Sequence, residues 1–213
     1  MNRSCVSFSR YLTYGAVLLL AACASEKQQI PPQAASGLTE VRADAVKLKQ
    51  ELSRTSDSAR TLATSSASDV PRSVDSLSGN LNDLKGTLAQ GRSAVNLSED
   101  QVATYFANWD KQTQATWSTS ASGEMKKASQ KQQAEAAASF QSLRASIYDV
   151  RKNIWPYVSD LSTVEMYVRR DYTEASVNAQ SSRLSGTIAQ EPVIQRDLDS
   201  VIAQIDAIQG VNK

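Results

Sequence analysis

A three-four alternation of mostly apolar residues constrains this chain more than any other feature. Leu38, Val41, Ala45, Leu48, Leu52, Thr55, Ala59 and Leu62 recur at steps of three and four. That is the a/d spacing of a heptad, and it puts these side chains on one helical stripe. Arg42, Asp44, Lys47, Lys49, Gln50, Glu51 and Arg54 fill the gaps with polar groups. The spacing predicts an amphipathic helix over about 37–66. Such a stripe has to be buried, so the rest of the chain must supply matching ones.

A second stripe runs Val70, Val74, Leu77, Leu81, Leu84, Leu88, shifted by one residue in heptad phase. Either a short break or a local stutter separates the two, and Pro71 places it near Val70. Gly91 reads as a helix C-terminus. Ser98-Glu99-Asp100-Gln101 reads as a capping box, with Leu97 and Val102 in the staple positions. These signals predict a connection over 89–97 between antiparallel neighbours.

The next stripe begins with Val102, Tyr105, Phe106 and Trp109, then weakens. Residues 118–133 are poor in apolar side chains and contain Gly123, Lys126, Lys127 and Lys131. The pattern favours one long helix with a weak middle over a loop between two helices. Beyond it, Phe140, Leu143, Ile147, Val150, Ile154, Tyr157, Leu161, Val164 and Val168 alternate without interruption across Pro156, which predicts a kink. Arg169-Arg170 suit the negative end of that helix. Asp171 to Glu174, or Thr173 to Ser176, can cap the next. A last helix carries Val177, Leu184, Ile188, Leu198, Val201, Ile202, Ile205 and Ile208, with a kink expected at Pro192 and a stop at Gly210. No segment alternates like a strand. The expected fold is all-α: an elongated antiparallel helical bundle or coiled coil of three to four long helices over 38–210.

The N-terminus has a different character. Arg3 and Arg10 precede an apolar run from Tyr11 to Leu20, too short to span a bilayer of roughly 30 Å. Residues 1–22 therefore read as a secretory signal peptide. The run Leu20-Ala21-Ala22-Cys23 resembles the lipobox of bacterial lipoproteins. That resemblance implies a diacylglyceryl group on the Cys23 thiol, cleavage before Cys23 and acylation of the new amino group. Ala24 rather than aspartate follows, which by the same resemblance implies the inner leaflet of the outer membrane. Cys5, the other cysteine, would leave with the leader. Residues 24–37, with Pro31-Pro32, read as a tether behind the lipidated Cys23, able to reach roughly 40 Å when extended.

A second resemblance lies in the bundle region. Tyr105-Phe106-Ala107-Asn108-Trp109-Asp110, Pro156 with Leu161 following, and Asp171-Tyr172-Thr173 before a final helix resemble a family of uncharacterised bacterial envelope proteins. That family is known only as a domain of unknown function with long coiled-coil helices. The resemblance covers about 38–208 and implies fold and location, but no reaction and no site residues. The glycine- and serine-rich stretch 118–123 departs from it.

Composition narrows the chemistry. The chain of 213 residues has no histidine, which excludes a Ser-His-Asp triad, a Cys-His pair and an HExxH zinc site. Its net charge of +1 leaves no nucleic-acid footprint. Ser129-Gln130-Lys131 lies in too polar a stretch for a Ser-Lys pair. Asp160, Glu165, Asp197, Asp199 and Asp206 are spread along helix faces rather than paired in a cleft. No catalytic residue, metal ligand, cofactor or small-molecule substrate is expected. Phe106 and Trp109 suit the buried seam, while Tyr105 and Trp117 flank it, so Tyr105, Trp109 and Trp117 are the candidate partner contacts. The sequence reads as a lipid-anchored, non-enzymatic periplasmic scaffold or adaptor. Its expected partners are the membrane, through Cys23, and another envelope protein. The alternative is a membrane-active helical protein of the pore-forming kind, which would need an apolar hairpin tip.

Overall fold

The computed structural model describes residues 32–117 and 123–210. The expected signal peptide, Cys23 and most of the expected tether lie outside the described residues. Among the described residues six helices follow in order: α1 (Pro32–Ala63), α2 (Val70–Trp117), α3 (Gly123–Asp171), α4 (Glu174–Ala179), α5 (Ser181–Ile188) and α6 (Glu191–Gln209). No strand occurs among the described residues.

Cross-helix bonds give the topology. Thr55 Oγ1 donates to the Asn80 carbonyl at 3.2 Å, and Lys47 Nζ to Gln90 Oε1 at 3.3 Å, so residue numbers fall on α1 as they rise on α2. Arg169 meets Asp75 at 3.1 Å and Arg144 meets Glu99 at 3.3 Å, so α2 and α3 are antiparallel too. Asn153 donates to Asp197 at 2.7 Å, and Ser146 lies 3.2 Å from Ser200, which runs α6 back along α3. Arg42 with Asp206 and Lys49 with Asp199 close the ring between α1 and α6. The result is an up-down-up-down four-helix bundle, with α4, α5 and α6 together forming the fourth column.

The predicted stripes are its core. All eight seam residues of α1, from Leu38 to Leu62, are buried. So are Val70, Val74, Leu77, Leu81 and Leu84 on α2, and Ile154, Tyr157, Leu161, Val164 and Val168 on α3. Leu88 is only half-buried, because Thr87 takes the inward place. Burying each Leu, Val or Ile side chain contributes about 1.5–3 kcal/mol, which makes the seam the main source of cohesion.

Several boundaries differ from expectation. The helix begins at Pro32, so residues 32–37 belong to α1 rather than to the tether. Proline is tolerated there because a first-turn N–H has no helical partner. The phase shift before Val70 is a true turn over 64–69, where Ser66 Oγ donates to Asp69 at 2.6 Å and Ser65 Oγ to Ser73 at 2.6 Å.

The 89–97 connection does not form, and α2 is helical through Gly91 and the Ser98–Gln101 box. Val95 and Ser98 are buried, and Gly37 of α1 packs beside the Ser98 backbone and the Gln101 side chain. Helix packing there overrides the local capping signal. The long helix expected across 118–133 is instead two helices, with α3 restarting at Gly123 and folding back on α2. Residues 123–133 are helical. The last column is not one kinked helix: Pro192 stands in the first turn of a new helix, α6.

Other signals hold. Helix α3 continues through Pro156 and carries Arg169 and Arg170 in its last turn. Thr173 caps α4 by accepting from the Ser176 N–H at 3.2 Å. Gly210 closes α6 in the left-handed conformation, with φ of 71°.

Candidate functional site

The α2–α3 hairpin is longer than the four-helix section. Gly37, near the start of α1, lies beside Gln101, and Gln209, at the end of α6, donates to Thr39 at 3.0 Å. Beyond that level, ring contacts and hydrogen bonds join 102–117 to 123–140. Two of the sequence-predicted contacts sit here. Tyr105 packs on Phe106 and Trp109, with ring centroids 5.2 and 5.3 Å away, and Phe106 meets Phe140 of α3 edge-on at 5.9 Å. The Trp109 indole N–H donates to Ser129 at 3.3 Å, and Gln133 donates to Asp110 at 2.6 Å.

Tyr105, Phe106 and Trp109 are all half-buried, so the expected split between seam and flank disappears. A two-helix layer can cover only one side of an aromatic ring. Burial raises the Tyr105 phenol above its usual pKa. Trp117 ends α2, and its side chain lies outside the described residues. Ser129 accepts from Trp109 across the hairpin, while Lys131 faces Glu135 at 3.9 Å one turn along α3.

Three of the acids spread along helix faces, Asp197, Asp199 and Asp206, act as staples. Asp197 accepts from Asn153, and Asp199 pairs with Lys49. Asp206 accepts from Arg42 Nε at 2.6 Å, and this bond holds the Asp206 carboxyl below the usual range. Arg60 pairs with buried Glu191 and with Asp57 at 2.8 Å. Among the described residues no group of three or more His, Cys, Asp or Glu could hold a metal ion. No helix of the described residues is long and apolar enough to cross a membrane.

A second feature is a cavity of about 270 Å³ in the four-helix section. Val41, Ala45 and Leu48 of α1 and Leu198 and Val201 of α6 line its inner walls. Leu88, Gly91 and Val95 of α2 face Ile147, Val150 and Ile154 of α3 across it. Arg92, Arg151 and Trp155 stand at its exposed side, and Asp44 sits beside Gly91. Between the Asp75–Arg169 and Glu99–Arg144 bridges, no hydrogen bond or ion pair joins α2 to α3 among the described residues.

No periodicity or motif in the sequence marks this cavity. Its traces are small: Ala45 and Gly91 where larger side chains could stand, and the slip from Leu88 to Thr87.

Comparison with protein-family models, with curated proteins and with solved structures returns no match to this chain.

Proposed function

We propose that the chain is a lipid-anchored, non-enzymatic scaffold or adaptor lipoprotein of the bacterial envelope, held on the periplasmic face of the outer membrane through Cys23. The observation that carries this reading is Leu20-Ala21-Ala22-Cys23 behind a basic, then apolar, leader. One acyl chain gives only marginal attachment, whereas the several implied by the lipobox resemblance would be effectively permanent. Losing Arg3 and Arg10 with the leader leaves 21 basic against 22 acidic side chains, so lipid rather than charge would hold the protein down.

The bundle supports an adaptor role by its construction. Ion pairs such as Arg42–Asp206 and Lys49–Asp199 serve as inter-helix staples, and the α2–α3 hairpin carries half-buried Tyr105 and Trp109 beyond the four-helix section. Half-covered Trp and Tyr are the side chains that anchor protein interfaces. The membrane-active alternative needs an apolar tip, but Lys126, Lys127 and Lys131 are exposed in that part of α3.

Two measurements test the reading. Membrane fractionation of Cys23→Ala should move the protein out of the outer-membrane fraction; its persistence there would sink the anchor. A photo-crosslinker at position 105 or 109 should capture a discrete envelope protein from intact cells. Only background captures at both positions would remove the adaptor role.

A further inference from the structure

The cavity between α2 and α3 combines three properties that a packing gap need not have. Its inner walls are aliphatic, from Val41, Leu48, Val95, Val150, Ile154 and Val201. It opens on one side of the bundle, where Trp155 is 54% exposed. The charged groups on that side are Arg92, Arg151 and Asp44.

Arg92 and Arg151 make no ion pair among the described residues, although most arginines of the bundle do. Two unpaired guanidinium groups stand there against the single carboxylate of Asp44. The net positive charge of the mouth favours an anion. At about 270 Å³ the chamber lies near the lower end of ligand-pocket sizes, roughly 300–1,000 Å³, so it suits one slender molecule.

We propose that this chamber takes the tail of a single-chain fatty acid, whose carboxylate is held at the mouth by Arg92 and Arg151. The guanidinium fork matches a carboxylate in two-point geometry. Trp155 supplies the amphipathic ring that suits a junction between apolar tail and wet head. Gly91 keeps the wall open: a Cβ there would stand 3.7 Å from Asp44 Cβ and 4.0 Å from Leu48, so a longer side chain would enter the chamber. This site is independent of the lipid anchor.

The test uses the full chain in phosphatidylcholine nanodiscs and a diazirine-bearing dodecanoate as photo-crosslinking probe. Labelling should saturate and map to 88–95 and 147–155. Competing carboxylates should strengthen about fourfold per added methylene from octanoate upward, then level off once the chamber is full. Dodecanol should compete about five- to tenfold more weakly than dodecanoate, and Arg92→Gln/Arg151→Gln should abolish that difference. Gly91→Leu should remove the labelling while helical circular dichroism is retained. If Gly91→Leu unfolds the chain, the double arginine variant decides alone. Non-saturating label along the whole chain, equal competition by dodecanol and dodecanoate, or an undiminished preference in the arginine variant would each overturn the proposal.

Discussion

The hydroxyls of Ser56 and Tyr157 meet at 2.7 Å across the diagonal of the bundle, joining α1 to α3. Both side chains are fully buried, so the contact is a polar bond through the core. Elsewhere polar bonds and ion pairs run mainly around the ring of neighbouring helices. Tyr157→Phe should cost about 1–2 kcal/mol, because it leaves the Ser56 hydroxyl buried without its partner. In urea unfolding, a cycle with Ser56→Ala should show a coupling of about 1 kcal/mol. Strict additivity would mean that the bond contributes nothing.

The same tyrosine predicts an alkaline limit. Burial pushes the Tyr157 phenol up to about 12, only partly offset by its bond to Ser56. A folded pKa above the unfolded one means that unfolding releases the proton more readily. The stabilisation is complete below about pH 10 and lost as pH rises through about 12, amounting to about 2–3 kcal/mol. Unfolding midpoints between pH 9 and 12 should fall steeply in the parent and less steeply in Tyr157→Phe.

At the acid end the sign reverses. Arg42 holds the Asp206 carboxyl low, first by hydrogen bond and also by charge. That contribution is present above the usual carboxylate range and fades as pH falls through the depressed value. Asp206→Asn should therefore be less stable than the parent at neutral pH, with the gap narrowing towards pH 2. A gap that stays constant would show that the Arg42 bond has no electrostatic component.

Two glycines should respond by different amounts. At Gly91 an added Cβ finds only ordinary contacts, so Gly91→Ala should stabilise by about 0.5–1 kcal/mol through helix propensity. At Gly37 it would fall on Gln101 Oε1, with the Ser98 backbone 3.5 Å away. Gly37→Ala has to displace the Gln101 amide, so its gain should be smaller, and Gln101→Ala should bring the two gains level. Equal effects at the two positions would contradict the close approach of α1 to α2.

Helix α2 offers a direct check on its continuity. Ala94 lies in the middle of the stretch that local signals mark as a connection, yet it is inside the helix. Ala94→Pro should cost about 3 kcal/mol or more. A near-neutral effect in urea unfolding would restore the 89–97 connection.

The legible part of this fold is the part set by periodicity. Leu38 to Leu62 and Ile154 to Val168 could be read because a buried helical stripe has to repeat every three to four residues. Thr173 and Gly210 were legible because a cap is a local bond. The Ser98–Gln101 box has the same local signature and no cap, since Gly37 of α1 packs against it. The reversal between Trp117 and Gly123 left no trace in the pattern, because two half-buried helices and one solvated helix look alike there. The cavity was illegible for a further reason. It depends on how far α2 and α3 stand apart near Gly91 and Ile147, and no spacing within one helix encodes that distance.

The anchor is the central claim, and intact-mass spectrometry of the full-length gene product from a Gram-negative envelope tests it most directly. The account predicts a chain beginning at Cys23 that carries a diacylglyceryl group and an amide-linked acyl chain, and no lipid-bearing species from Cys23→Ala. A parent protein of unmodified peptide mass, or lipid still attached in Cys23→Ala, would contradict it.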